Sequence, residues 1–240
     1  VGNTCEEGLG DLRGMKAVAK RFGAEVQAYI VLEGMALGQI YNRGLGVRRY
    51  RIRVQTAGGH SWIDYGKPSA VHELTRLSAE LTRIAVPDEP RSSLNVGVIS
   101  GGTSVNTIAA EATLELDLRS ESPAALETLV GQVERISESA NRQGVEATTE
   151  VIGSRPAGEI PADAPLVRLA EEVLRGLGET PHRHIGSTDA NIPLSRGLPA
   201  VTIGLTTGGG AHTVHEYINT APLQCGLEQV VRLVQGAWTI

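Results

Sequence analysis

Residues 112–118 read Ala-Thr-Leu-Glu-Leu-Asp-Leu. Leu114, Leu116 and Leu118 share one parity while Glu115 and Asp117 hold the other, the pattern of a strand with one apolar and one wet face. Just upstream, Leu94-Asn-Val-Gly-Val-Ile-Ser100 reads as a second strand, and Gly101-Gly102 lets the two pair antiparallel. Further out, Val71, Leu74, Leu77, Leu81 and Ile84 recur at helical spacing between Pro68 and Pro87. Before them, Val47 to Val54 alternates apolar residues (Val47, Tyr50, Ile52, Val54) with arginines, the strict period breaking at Arg49. On the other side, Ser122 can cap a helix carrying Leu126, Leu129, Val130, Val133 and Ile136, which stops near Gly144 before a strand over 145–152. Residues 45–153 therefore run β-α-β-β-α-β, the ferredoxin-like order in which one sheet carries both helices on one face. Its free sheet edge and helix face are places where a second copy could dock.

The flanks have a different rhythm. Leu9 to Phe22 has helical character and ends at Gly23, and Val26 to Leu32 reads as a buried strand running to Glu33-Gly34. After Arg155-Pro156 come a helix around Leu166, Leu169, Val173 and Leu177, a short helix near Asp189 to Ser195, a strand Ala200 to Ile203, and a helix carrying Leu227, Val230, Val231 and Val234. Residues 1–43 and 156–240 thus read as one α/β domain interrupted by the small module.

The chain of 240 residues has 41% apolar residues and a formal net charge of −5, with 22 Lys and Arg spread among 27 Asp and Glu, so no electrostatic footprint for nucleic acid is present. No window approaches the roughly 20 apolar residues of a membrane span. Cys5 and Cys225 near opposite ends give no disulfide framework, which favours a cytoplasmic setting.

Three features could carry chemistry. Glu6-Glu7 precedes a helix, Glu33 closes a strand, Ala211-His212-Thr-Val-His215-Glu216 follows three glycines, and loops at strand carboxyl ends collect ligands in α/β sheets. Carboxylates and a histidine at separate loop ends suit a hard or borderline metal. Taken singly, each also reads as a helix-terminal acid, a surface acid or a solvated loop histidine. A thiol hydrolase built on Cys5 or Cys225 lacks a histidine partner in sequence. Gly8-Leu-Gly10-Asp-Leu-Arg-Gly14 misses the dinucleotide fingerprint by one position.

Together the segments resemble the co-catalytic zinc peptidase and amidohydrolase family, which includes peptidase T, carboxypeptidase G, aminoacylase and succinyl-diaminopimelate desuccinylase. The resemblance rests on Glu6-Glu7-Gly-Leu-Gly-Asp, Gly58-Gly59-His60-Ser61, Gly101-Gly102-Thr-Ser-Val-Asn106, Asp117-Leu118-Arg119, Ser187-Thr188-Asp189-Ala190 and Ala211-His212-Thr-Val-His-Glu216-Tyr217, in that order. It implies an α/β fold: part of a catalytic domain (1–43 and 156–240) with an inserted ferredoxin-like lid or dimerisation domain (45–153). It implies Glu6 as general base toward a metal-bound water, Glu7, Glu33 and His212 as ligands of two zinc ions (cobalt or manganese being alternatives), and His60, Asn106 and Arg119, with Arg155 assisting, as donors to a substrate carboxylate or oxyanion. The implied activity is hydrolysis of an amide in small peptides or N-acyl amino acids, as an aminopeptidase, carboxypeptidase or deacylase, in a homodimer where His60 serves the partner's site.

The family's remaining ligands, a His-x-Asp histidine and a bridging aspartate, lie upstream of the paired glutamates, and none of the six histidines precedes Glu6. The chain therefore reads as the later portion of such an enzyme, inactive and weakly zinc-binding by itself. The alternative is a non-catalytic dimerisation or interaction fragment.

Overall fold

The computed structural model describes Gly2, Thr4, Cys5 and residues 10–211 and 213–240; Glu6, Glu7 and His212 fall outside the described residues. The chain divides into two compact units, Val1–Leu45 with Arg155–Ile240, and Gly46–Ser154. In chain order the elements are α1 (Arg13–Phe22), β1 (Tyr29–Glu33), β2 (Gln39–Gly44), β3 (Gly46–Thr56), a short β4 (Gly59–His60), α2 (Ala70–Leu81), β5 (Ser92–Gly101), a short β6 (Thr107–Ile108), β7 (Glu111–Ser120), α3 (Pro123–Ser139) and β8 (Val145–Arg155). Then follow β9 (Gly158–Glu159), α4 (Pro165–Gly176), β10 (His182–Gly186), α5 (Asn191–Leu194), β11 (Ala200–Gly204), β12 (Gly208–Gly209), β13 (Tyr217–Ile218) and α6 (Leu223–Gly236).

In the inserted unit the sheet order is β5-β7-β3-β8, with β7 antiparallel to both β3 and β5. This is the ferredoxin-like arrangement. Ala112, Leu114, Leu116 and Leu118 pack with Tyr50, Ile52 and Val54 under Leu74, Leu77 and Leu81 of α2 and Leu126, Leu129 and Val133 of α3. Burying each such leucine contributes about 2–3 kcal/mol. Ser122 caps α3, its hydroxyl accepting from the Ala125 N–H at 3.4 Å.

The alternation in β3 differs from the simple reading. Tyr50, Ile52 and Val54 face the helices, but Val47 is buried on the opposite parity, paired with Arg119, while Arg48 takes the helix side and reaches Glu127 at 3.4 Å. Arg49, Arg51 and Arg53 stand on the helix-free face and meet the acids of β7: Arg49–Asp117 at 2.7 Å and Arg51–Glu115 at 2.9 Å. These pairs lie directly opposite each other in register, so the arginines that look like an interrupted pattern are one half of a cross-strand charge ladder.

In the other unit, five strands form a mixed sheet of order β1-β11-β2-β10, with β9 also on β2. β1 runs parallel to β11, β11 antiparallel to β2, and β2 parallel to β10. Ile40, Val201 and Ile203 pack with Leu166, Val167, Ala170 and Leu174 of α4 and Leu233 of α6. Helix α1 begins at Arg13, because Asp11 and Leu12 adopt φ of 48° and 59°, a left-handed conformation that no helix continues through. Among the described residues no helix is long and apolar enough to cross a membrane.

Candidate functional site

Each site residue expected from the sequence can be placed on this frame where it is described. Glu33 ends β1 opposite Gly204 of β11, and its carbonyl accepts from the Leu205 N–H at 2.8 Å. Two further bonds stitch the same end of the sheet: Thr206 N–H donates to the Gly34 carbonyl at 2.9 Å, and Leu37 N–H to Thr206 at 2.9 Å. From there the chain enters the β12–β13 hairpin that brackets position 212. Glu33 also faces Tyr41, whose phenol is pushed up by burial and by this negative charge. The glycines before His212 serve the hairpin itself. A Cβ on Gly208 would sit 2.3 Å from the Tyr217 carbonyl oxygen, and Gly210 has a φ of +68° beside the His215 carbonyl.

His60 and Asn106 lie together in the inserted unit. β4 pairs with β6 so that His60 faces Thr107, and the Ser61 N–H donates to the Asn106 carbonyl at 3.0 Å. The histidine organises its own turn: Nδ1 accepts from the N–H groups of Trp62 at 3.2 Å and Ile63 at 3.4 Å. In the neutral ring this places the proton on Nε2, leaving that nitrogen as a donor. The His60 N–H donates to Asp64 Oδ2 at 2.8 Å, and Lys67 holds Asp64 Oδ1 at 2.7 Å. Together, with the lysine the larger influence, they draw the Asp64 carboxyl below its usual range. The sequence reading missed Asp64, although an aspartate four residues after the histidine is a recognisable turn-forming signal.

Arg119 is elsewhere in that unit. It sits at the far end of β7, paired with Val47 and Ser93, its Nε donating to Asp117 Oδ2 at 2.7 Å. From Glu111, beside the His60 turn, to Arg119 is eight strand steps, about 26 Å at ~3.3 Å each. Within one chain the length of β7 therefore separates Arg119 from His60 and Asn106.

Arg155 is buried, with Nη1 donating to Ser187 Oγ at 2.9 Å. The turn it touches is built on Asn191, which is fully buried. Asn191 Oδ1 accepts from the Thr188 N–H at 2.9 Å, and Nδ2 donates to the carbonyls of Leu45 at 2.7 Å and Pro156 at 2.9 Å. Those carbonyls belong to the residues that directly follow β2 and β8, so one amide ties the two linking segments together. Only the residue after Ser187-Thr188-Asp189-Ala190 could have signalled this, and its role depends on partners 146 and 35 residues away.

A thiol mechanism finds no support at Cys225, whose thiol is pushed up by burial and by Glu179 and Glu228, away from the reactive thiolate. Among the described residues no group of three or more His, Cys, Asp or Glu converges as a metal site. Glu33 is the one described member of the assigned ligand set, so the described residues do not by themselves build a zinc site.

Residues 45–145 match the family model of the peptidase dimerisation domain. No curated protein matches the sequence. Among solved structures, the chain is similar to aminopeptidase PepT from Bacillus cereus ATCC 10987 (20% identity, TM-score 0.79, covering 98% of this chain and 63% of that one). It is similar to a tripeptidase from Staphylococcus aureus subsp. aureus mu50 (22%, 0.76, covering 95% and 63%) and to an aminobenzoyl-glutamate utilization protein from Klebsiella pneumoniae (16%, 0.70, covering 90% and 56%). The chain spans less than two thirds of the length of each of these structures, and at these identities the likeness is one of fold.

Proposed function

We propose, from the premise that this chain belongs to the zinc peptidase and amidohydrolase family and carries its peptidase dimerisation domain at 45–145, that the complete protein hydrolyses amide bonds in small peptides or N-acyl amino acids as a homodimer. The observation that carries the dimeric reading is the spread of donors along β7. His60 and Asn106 stand at one end of the sheet and Arg119 at the other, eight strand steps apart. Three donors that far apart can meet one small substrate only if they come from two molecules, and a two-fold axis makes that exchange mutual.

In this reading Arg119 and the His60–Asn106 turn that converge on a substrate belong to different subunits. Arg119 is oriented by Asp117, and a guanidinium so held suits a carboxylate. His60 presents Nε2–H, a directed donor for an oxygen that gains charge during amide cleavage. Glu6 is assigned to proton transfer and Glu7, Glu33 and His212 to the metal, zinc in the first instance with cobalt or manganese as alternatives. The chain by itself is then inactive, its sheet edge and helix face serving dimerisation.

The test uses the complete protein. His60→Ala should lower kcat strongly while leaving metal content and dimerisation unchanged, and mixing it with a Glu6→Ala variant should restore part of the activity, since hybrid dimers hold one intact composite site. Wild-type turnover by His60→Ala, or no recovery after verified subunit exchange, rejects the reading.

A further inference from the structure

A cleft of the inserted unit, about 680 Å³, opens between the turn at 61–69, the first turns of α2 and the hairpin joining α3 to β8. At its floor Glu73, only 6% exposed, binds two guanidiniums: Arg76 Nη1 on Oε1 and Arg142 Nη2 on Oε2, each at 2.5 Å. Burial pushes the Glu73 carboxyl up, but the two arginines outweigh it and hold the group ionised and below its usual range. A carboxylate fixed this way sets the arginines side by side. The Arg142 backbone is itself locked, exchanging hydrogen bonds with Val145 at 3.1 and 2.9 Å, while Asn141 clamps Ala147 from both sides.

Each guanidinium has five donors and spends one on Glu73. Arg142 gives one more to the Ala140 carbonyl at 3.5 Å. The two side chains remain 66% and 51% exposed, so they are open to a further partner. Lys67, whose Nζ also pairs with Asp64 at 2.7 Å, and His72 line the cleft, so counting Lys67, Arg76 and Arg142 against Glu73 and Asp64 its formal charge is still positive in a chain whose net charge is −5. On the far side of the arginine pair a second hollow of about 370 Å³ carries Glu80, which leaves the face toward Lys67 and His72 as the cationic one.

We propose that this cleft binds a small oxyanion, a carboxylate or phosphate group held by Arg76 and Arg142 and reached by Lys67 and His72. Paired guanidiniums grip planar or tetrahedral oxyanions through several parallel charge-assisted hydrogen bonds, and fixing them beforehand removes much of the ordering cost. The first turn of α2 adds a favourable field, since Ser69 gives its backbone no side-chain cap. Ser61 and Thr107 line the mouth, next to His60 and Asn106, so an anion seated here lies beside that turn. The proposal stands whether or not the protein hydrolyses amides.

The 240-residue chain is titrated at constant ionic strength with inorganic phosphate in one arm and succinate in the other, followed by calorimetry and by amide shifts at 70–73 and 141–144. Saturable one-to-one binding of either probe, mapped to those amides, is expected, and the stronger arm identifies the anion class. Arg76→Gln with Arg142→Lys should weaken it about 10-fold, equivalent to about 1.4 kcal/mol, through loss of charge-assisted bonds. Because that variant disturbs the partners of Glu73, Lys67→Gln with His72→Gln serves as the second, and it should also weaken binding. Arg168→Gln in the other unit removes the same single positive charge and should leave affinity intact. No saturable binding in either arm, shifts elsewhere, or equal loss in the control overturns the site.

Discussion

Replacing Asn191 with alanine should cost more than any exposed substitution in this chain. The wild-type amide is fully buried and makes three hydrogen bonds to backbone, accepting from Thr188 and donating to Leu45 and Pro156. A buried hydrogen bond contributes about 1 kcal/mol net, and backbone groups left without a partner add desolvation cost. Three such losses with a small cavity sum to about 3–5 kcal/mol, a large share of the 5–15 kcal/mol a domain has. For a unit of this size that is a fall in Tm of roughly 10–15 °C. Asn191→Asp sharpens the test: it keeps the acceptor for Thr188 but turns an oxygen toward two carbonyls, so it should be at least as damaging despite its shape. Urea denaturation followed by circular dichroism gives the magnitude, and hydrogen exchange should show faster opening at 42–46 and 155–160. A loss below about 1 kcal/mol with unchanged exchange would refute the tie.

Two further outcomes follow from buried contacts. Tyr50 is buried and donates to Glu134 at 2.7 Å, burial and then that carboxylate pushing its phenol up to about 12 from 10. A raised folded-state value means the contribution is complete below pH 10 and lost as pH rises toward 12, on the order of 2 kcal/mol, so alkaline denaturation curves of Tyr50→Phe should lack that drop. Gly204→Ala would put a Cβ 1.9 Å from the Ala36 carbonyl carbon, which the β1–β11 end of the sheet cannot relieve by moving a side chain; a destabilisation of about 3 kcal/mol or more is expected in thermal melts.

Much of the inserted unit is legible in the chain because its elements bury one face each, and burial writes itself as a period. Leu114, Leu116 and Leu118 mark the central strand, Leu74, Leu77 and Leu81 a helix, and the successive long strands β5 and β7 pair directly, as with Leu94 opposite Leu118. The other unit is less legible. β2 and β10 read Gln-Ile-Tyr-Asn-Arg-Gly and His-Arg-His-Ile-Gly, polar strings with no two-residue apolar rhythm, and they are strands because each completes the other's backbone hydrogen bonding.

For the candidate site, the residue types at strand and loop ends were readable: Glu33 does close β1, and Asn106 does stand in a turn, which the β4–β6 pairing brings beside His60. What the local pattern could not contain is distance between elements. That Arg119 stands eight strand steps from the histidine follows only from the β7 register. That Glu73 gathers Arg76 and Arg142 needs a helix and a hairpin 69 residues apart to pack together. That Asn191 holds both linking segments of the chain needs Leu45 and Pro156 brought to one amide. Periodicity records which face of an element avoids water, a property each residue carries alone, whereas pairing of polar groups is decided by which elements meet, and only the folded chain determines that.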